Sequence, residues 1–386
     1  MKHHEVIVVG GGVVGAAITL GLYRAGVDVA LVERGARPPV FDQSNYDLRV
    51  YAVSPSSEQL LKDLGVWDAI VQRRVSAYRN MQVWDDLPHK PLIFSAGDLG
   101  LHRLGHIVES SLLLDALWSA LGDVPCYLNT ELTGFGSDEE AASLNLASGE
   151  TLKARLVIAA EGKESPLREW GGIDCVRWEY PQQAVVCNVV TEQPHRDTAW
   201  QRFLPDGPLA FLPLADGRSS IVWSSTDAQT LLALSDAEFC KRLSEAIHYQ
   251  LGDVLSCTRR MGFAIGLLHA RDMVRPRLAL AGDAAHVVHP LAGQGVNLGL
   301  SDAAALIAEL TSTLALKRDP GNLRVLKRYE RARKAETLDM LAVTDGLYRA
   351  YGMRLGGWDD LRNLGLSAVN RLAPVKNVLM RRALGV

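Results

Sequence analysis

The residues best suited to chemistry fall into three glycine–carboxylate groups far apart along the chain. The first is Gly10-Gly11-Gly12-Val13-Val14-Gly15, with Glu33 and Arg34 downstream. At G-x-G-x-x-G spacing, Gly10 permits a tight turn, Gly12 lets the backbone approach a pyrophosphate, and Gly15 lets a helix pack on a strand. The anion would rest on the N–H groups of the helix start, near Val14, where the dipole favours negative charge. Glu33, 18 residues beyond Gly15, has the reach for a ribose hydroxyl pair and disfavours a 2′-phosphate. FAD and NAD both satisfy these demands. The second group is Gly282-Asp283-Ala284-Ala285-His286, continuing through His289-Pro290-Leu291-Ala292-Gly293-Gln294-Gly295 into Val296 and Asn297. An apolar run ending in Gly-Asp sets a carboxylate at the carboxyl edge of a sheet, and a glycine-rich loop opening a helix adds backbone donors. A Rossmann dehydrogenase needs no second loop of this kind; a flavoprotein would use it to face the ribityl chain and the isoalloxazine. The third group is Glu161-Gly162, followed by Lys163-Glu164-Ser165-Pro166-Leu167-Arg168.

Other chemistries find less support. His286 and His289 lie three apart, but two histidines without a third ligand do not make a metal site. His289, with an ordinary pKa near neutrality, is a candidate donor to substrate or flavin; Pro290, with its fixed φ, is a candidate pocket wall. Packing and turn formation are the plainer roles for these two. There is no Ser-His-Asp set and no H-E-x-x-H. The five cysteines are odd in number and include no C-x-x-C pair, which argues against a disulfide framework and for a reducing, cytoplasmic setting. Of 386 residues, 48% are apolar and 22% charged, with a formal charge of −3; no basic footprint marks a nucleic-acid partner. Val6–Tyr23 is uncharged and long enough to suggest a membrane span, yet its glycines fit a βαβ unit better, and they do not suit the apolar core of a secretory signal.

The elements that must position these groups can be read from periodicity. Glu5–Val9 and Val27–Val32 are predicted strands flanking a helix over Val13–Ala25. Leu156–Ala160 and Arg277–Ala281 are further buried strands, and Val296–Leu316 is helical. Between Val176 and Gly262 the alternation predicts an antiparallel sheet, with strands at Ala184–Val190, Ala199–Phe203, Leu209–Leu214 and Ser219–Ser224. The aromatics Trp178, Trp200, Phe203, Phe211 and Trp223 there are either sheet core or the wall of an aromatic pocket. From Leu361 to Val386 there are five basic residues and no acid, and Leu364, Ala368, Val369 and Leu372 share one helical face. That tail either packs on its own domain or a sister subunit, or assists approach to a membrane surface or a lipid-presenting partner.

The three groups, taken with Asp47-Leu48-Arg49-Val50, Ala52-Val53-Ser54-Pro55, Met81-Gln82-Val83-Trp84-Asp85, Gly105-His106-Ile107-Val108-Glu109-Ser110 and Gln201-Arg202-Phe203-Leu204-Pro205, resemble the flavin-dependent aromatic hydroxylases of the para-hydroxybenzoate hydroxylase type. Within that class the chain is similar to the ubiquinone-biosynthesis hydroxylases of bacteria and mitochondria. The resemblance implies an α/β fold: a Rossmann-like FAD-binding domain (1–77, 96–175 and 263–320) interleaved with an antiparallel-sheet substrate domain (78–95 and 176–262), then a C-terminal helical segment (321–386). It implies FAD, NAD(P)H as transient reductant, and O₂, with hydroxylation of a polyprenylated phenol or benzoquinol through a flavin hydroperoxide. The implied FAD contacts are Gly10, Gly12, Val14, Gly15, Glu33, Arg34, Arg49, Glu109, Glu161, Gly162, Gly282, Asp283, Gly293, Gln294, Gly295, Val296 and Asn297. Among these, Asp283 would hold the ribityl hydroxyls and Arg49 the pyrophosphate or flavin edge. Glu109, on a helix expected from near Val108, would meet FAD or else form a surface salt bridge. The family's middle motif reads Asp-Gly; here Glu161 sets the carboxylate one methylene further out, which bears on reductant handling. Hydroxylation of a small soluble aromatic, reduction of isoprenoid double bonds, and a non-catalytic FAD-holding subunit share the same residues. A place at the inner face of the membrane, a biosynthetic complex and a homo-oligomer are compatible partners of that activity.

Overall fold

The structure is a computed structural model, and residues 2–85, 91–289 and 295–352 are described. β1 (Lys2–Val9), α1 (Val13–Arg24) and β2 (Val29–Val32) form the opening βαβ unit, within a few residues of the predicted bounds. The chain then forms β3 (Val50–Val53) and β4 (Gly105–Glu109), which pair antiparallel, and enters α2 (Ser110–Ala120). β5 (Thr151–Ala159) returns to the first sheet and is followed by the short α3 (Pro166–Trp170). A second sheet comprises β6 (Cys175–Thr191), β7 (Thr198–Leu204), β8 (Gly207–Pro213), β9 (Ser219–Ser225) and, after helices α4 (Ala228–Ala233) and α5 (Asp236–Ala246), β10 (Met261–Ala270). β11 (Leu278–Leu280) rejoins the first sheet ahead of α6 (Gly295–Ala315) and α7 (Leu323–Gly352).

In the first sheet β2, β1, β5 and β11 run parallel. Val9 stands opposite Val32 on one side and Ala159 on the other, and Ala159 opposite Leu280. One row of residues thus crosses four strands at their carboxyl ends. Glu33, Gly10, Glu161 and Gly282 follow that row within two residues. The strands are continuous apolar runs because both faces are covered, as parallel sheets require. α6 is long and apolar enough to cross a membrane by composition, but Leu300, Ala303, Leu306 and Leu310 are buried in the core it shares with α1.

The second sheet has order β10-β6-β9-β8-β7, extended at β7 by Asn80–Trp84 and Leu92–Ser95. β6 and β10 form a ladder from Cys175–Ala270 to Val186–Met261. The sheet therefore continues to Ala270 rather than ending at 262, because the outgoing and returning strands pair along most of their length. One face, carrying Val185, Cys187, Phe211, Ile221 and Trp223, packs on Phe239 and Leu243 of α5, with Trp200 against it. Phe211, Trp223 and Trp200 are thus core behind the sheet and not a pocket wall. The opposite face carries Ala199, Ala210, Leu212 and Val222 toward Ala52 and Ile107 of β3 and β4. Trp178 is 56% exposed.

Candidate active site

The first group forms a close-packed turn. Gly10 has φ +103°, and a Cβ there would lie 2.4 Å from the Ala160 carbonyl oxygen; one on Gly15 would lie 1.9 Å from the Gly10 oxygen. Only glycine allows β1, α1 and the end of β5 to meet this closely. Glu33 accepts the Gly11 N–H at 2.6 Å and the Gly35 N–H at 2.7 Å, while Trp118 Nε1 donates to the Gly11 oxygen at 2.8 Å. Gly12 is exposed, with open space around it, and α1 has neither a side-chain cap nor an acid in its first turn. An uncapped, open helix start is the form an anion site takes. Arg34 lies exposed just past Glu33. Val14 closes the contact with the second group: its Cγ2 lies 3.1 Å from where a Cβ on Gly282 would sit and 2.5 Å from one on Gly299.

The second group is held from behind by a buried carboxylate. Asp302 Oδ2 accepts the Gly282 N–H at 2.9 Å and pairs with His286 Nε2 at 2.6 Å, and its Oδ1 accepts Arg333 Nε at 2.8 Å. Burial pushes the Asp302 carboxyl up, but His286 and Arg333 more than offset this and hold it below the usual carboxylate range. Asp283 is exposed to solvent, yet desolvation still raises its carboxyl, opposed by His286, Arg49 and Lys163. At the start of α6 no described residue lies within 4 Å of a Cβ added to Gly295, and Val296 is buried.

The third group is stitched to the second by Arg168. This side chain is fully buried, donating to the Ala284 oxygen from Nη1 and the Lys163 oxygen from Nη2, each at 2.9 Å. Glu161 Oε1 accepts the Leu167 N–H at 3.1 Å; Oε2 is buried without a hydrogen-bond partner. Burial raises the Glu161 carboxyl to about 7, against the pull of the Leu167 N–H, Ser165 and Arg168. Gly162 adopts φ +88° in the same turn.

The remaining candidates surround this floor. Asn297 braces α6 to β3, donating to the Ala52 oxygen at 2.8 Å and accepting the Ser54 N–H at 3.0 Å. Arg49 is exposed, 5.4 Å from the Tyr51 ring. Glu109 stands at the N-cap position of α2 without a side-chain cap bond; the helix begins at Ser110 rather than near Val108, and the Glu109 pairing is not a surface one. The carboxylate is buried and accepts Arg74 Nε at 2.7 Å and the Asp47 N–H at 2.7 Å. Burial raises it, opposed by those same donors. His289 is buried, 3.3 Å from Gln182 Oε1 and edge-on to Tyr180 at 5.1 Å between centroids. Burial lowers it to about 4, with Asp345 acting against the shift. His286 and His289 thus turn to different partners, and no cluster of three His, Cys, Asp or Glu suited to a metal occurs among the described residues. Pro290, Gly293, Gln294 and the tail from Leu361 lie outside the described residues. Sequence reading missed Asp302, Arg333 and Arg74, and gave Arg168 no role within the third group. A lone early acid in apolar α6 was the available signal for Asp302; Arg333 and Arg74 had none.

Residues 3–343 match the family model described as FAD binding domain. The chain is 37% identical to the 3-demethoxyubiquinol 3-hydroxylase of Escherichia coli, over 99% of this chain and 98% of that protein. It is 35% identical to the ubiquinone hydroxylase UbiL of Rhodospirillum rubrum, over 100% and 90%. With the mitochondrial ubiquinone biosynthesis monooxygenase of Mus musculus the identity is 34%, over 98% and 90%. Among solved structures, p-nitrophenol 4-monooxygenase from Pseudomonas putida superposes with TM-score 0.79 at 19% identity, covering 100% of this chain and 99% of that one. Klebsiella pneumoniae HpxO, complexed with FAD and uric acid, gives 0.75 at 19% identity, over 99% and 97%. Those two establish a shared fold.

Proposed function

This chain belongs to the FAD-binding-domain flavoproteins, in their ubiquinone-biosynthesis hydroxylase branch, and from that premise we propose that it hydroxylates the ring of a polyprenylated phenol or benzoquinol, with FAD as cofactor, NAD(P)H as reductant and O₂ as oxygen source. The observation that supports this best is the row of strand ends in which Val32, Val9, Ala159 and Leu280 align and the three glycine–carboxylate groups meet.

The residues present fit FAD. The open start of α1 at Gly12 suits the pyrophosphate, Glu33 the adenosine ribose, Asp283 the ribityl hydroxyls, and the start of α6 at Gly295 an electron-rich ring edge. Bound FAD supplies the electron transfer and oxygen chemistry that no side chain here can provide. The protein's share is positioning and dryness. Asp302 and Arg168 fix the second and third groups from behind: Asp302 takes the Gly282 N–H and Arg168 the Ala284 oxygen, which holds the turn that carries Asp283. His289, lowered to about 4, is neutral at physiological pH and presents an uncharged ring beside Tyr180 and Gln182. The face bearing Tyr180, Ala184 and Ile265 is apolar and buried, as a site that must exclude water requires. A peripheral place on the inner membrane face suits such a substrate, since each buried CH₂ of a prenyl chain favours lipid by about 0.8 kcal/mol.

The test is turnover under ¹⁸O₂. FAD-loaded protein with NAD(P)H and a prenylated phenol should give product carrying one ¹⁸O atom. Saturation of a side-chain double bond without label, or faster turnover of unprenylated soluble phenols, would overturn the proposal.

A further inference from the structure

Along β10, alternation places Met261, Phe263, Ile265 and Leu267 on one face. Near the candidate site that row is covered. Leu267 packs on Val288, Leu298 and Leu341, beside His289, and Ile265 is 4% exposed against Tyr180, Ala184 and Val222. Moving away from the site the cover disappears, with Phe263 45% and Met261 39% exposed. Across the ladder these two face Ala184 and Val186. Among the described residues His286–Val287 pairs only with Leu268 and His269, and no other strand pairs with the outer half of β10 on that side. Residues 261–268 carry no charge and include Gly262, Ala264 and Gly266. Exposed edges are normally blunted by charge, proline or a bulge. An uncharged apolar edge continuous with a buried apolar face instead marks a surface with an occupant.

We infer that the row Leu267–Ile265–Phe263–Met261 is the bed on which the substrate's prenyl chain lies as it leaves the ring-binding end. This rests on the hydroxylase proposal for the identity of the chain. Its support is continuity: the row starts at the packing around His289 and runs outward on one face without a polar interruption. Six residues at ~3.3 Å each carry it about 20 Å. A phenol with one isoprene unit would therefore meet only the inner pair, whereas a long chain would also cover Phe263 and Met261.

The experiment uses FAD-loaded full-length protein, with Phe263→Ser, Met261→Ser and, as control, Tyr23→Ser, an exposed aromatic on α1 away from the second sheet. Each is assayed with a one-isoprene phenol and a long-chain phenol at fixed detergent. Phe263→Ser should lower kcat/KM about tenfold on the long chain, the ~1.4 kcal/mol of one partly covered aromatic, and leave the one-isoprene substrate unchanged. Tyr23→Ser should alter neither. Equal losses on both substrates, or no loss on the long one, would overturn the inference. A long-chain phenol carrying a diazirine at its far end supplies a measurement that needs no turnover. Labelling of the peptide spanning Met261 and Phe263 supports the bed even if the ring is never hydroxylated, which would sink only the hydroxylase proposal. Labelling elsewhere, or a dimer that Phe263→Ser dissociates in sedimentation velocity, would assign the edge to a different occupant and overturn it.

Discussion

Replacing Asp302 by Asn keeps the shape of the side chain and removes the charge that ties the second glycine–carboxylate group to α6 and α7. Asp302 is 0% exposed and serves three donors: the Gly282 N–H, His286 and Arg333 Nε. An amide has one acceptor oxygen for them and must turn its NH₂ toward another donor. Arg333 is buried too and would keep only Glu336 as a counter-charge. Removing one partner of a buried pair costs about 3–5 kcal/mol; Glu336 places the expected loss near the lower end, about 3 kcal/mol. Against a total of ~5–15 kcal/mol for a typical domain, urea unfolding of the apoprotein resolves that easily. The sign with pH follows from the lowered Asp302 carboxyl. Its contribution is present above the unfolded value near 3.8 and is lost as pH falls through the folded value. The gap between wild type and Asp302→Asn should therefore hold from neutral pH down to about pH 5 and close only below about pH 4. With Gly282 released, FAD affinity should fall at least tenfold, read by flavin fluorescence. A cycle with Arg333→Met should show coupling of at least about 1 kcal/mol. Additive losses, or an Asp302→Asn variant within about 0.5 kcal/mol of wild type, would refute the role assigned to this carboxylate.

Glu161→Gln should stabilise the apoprotein at pH 8. The carboxyl, raised from 4.5 to about 7, gives stability that is full below 4.5 and lost as pH climbs to about 7, some 2–4 kcal/mol in all; a wild-type-minus-variant difference that stays flat with pH would contradict this. His289, lowered from 6.5 to about 4, makes wild type lose stability as pH drops from 6.5 toward 4. Unfolding midpoints of His289→Asn should fall less over that interval, and equal falls would count against it. Gly299→Ala should reduce FAD content through the 2.5 Å approach to Val14 Cγ2, an overpacking cost of about 1–3 kcal/mol. Val14→Ala in the same chain should restore the flavin; failure of that rescue would mean the clash lies elsewhere.

The sheet that gathers the site was legible because parallel strands covered on both faces leave an unmistakable trace. Glu5–Val9, Leu156–Ala160 and Arg277–Ala281 are apolar without alternation and end abruptly in glycine or acid, so the strand ends and the chemistry mark each other. The helix start at Glu109 was misread because β4 keeps pairing through Glu109 with Val50; the ladder postpones the helix by two residues, and local propensity cannot register a partner 59 residues away. Asp302, Arg333 and Arg168 escaped for a related reason. Their value lies in backbone groups they reach across the fold, such as Gly282 N–H, Leu298 O and Ala284 O, and nothing in their own neighbourhoods records those distances.

The aromatic residues of the second sheet show a subtler limit. Alternation correctly groups Phe211 with Ile221 and Trp223, but period two assigns residues to faces without saying which face looks at the first sheet. That is decided by the chain after β9, which folds α4 and α5 back over one side before β10 begins. A helix layer stands about a helix diameter off the sheet, and the gap needs bulky side chains to reach native density; Phe211, Trp223 and Phe239 fill it. The other face meets β3 and β4 and the loop carrying His289, and bears Ala184, Ala199, Ala210 and Val222. That face carries bulky Leu212 and Ile265 beside its alanines, so size alone does not tell the two sides apart. The layer that comes to cover a face, and not the aromatic character of its residues, decides which side of this sheet becomes helix-packed core.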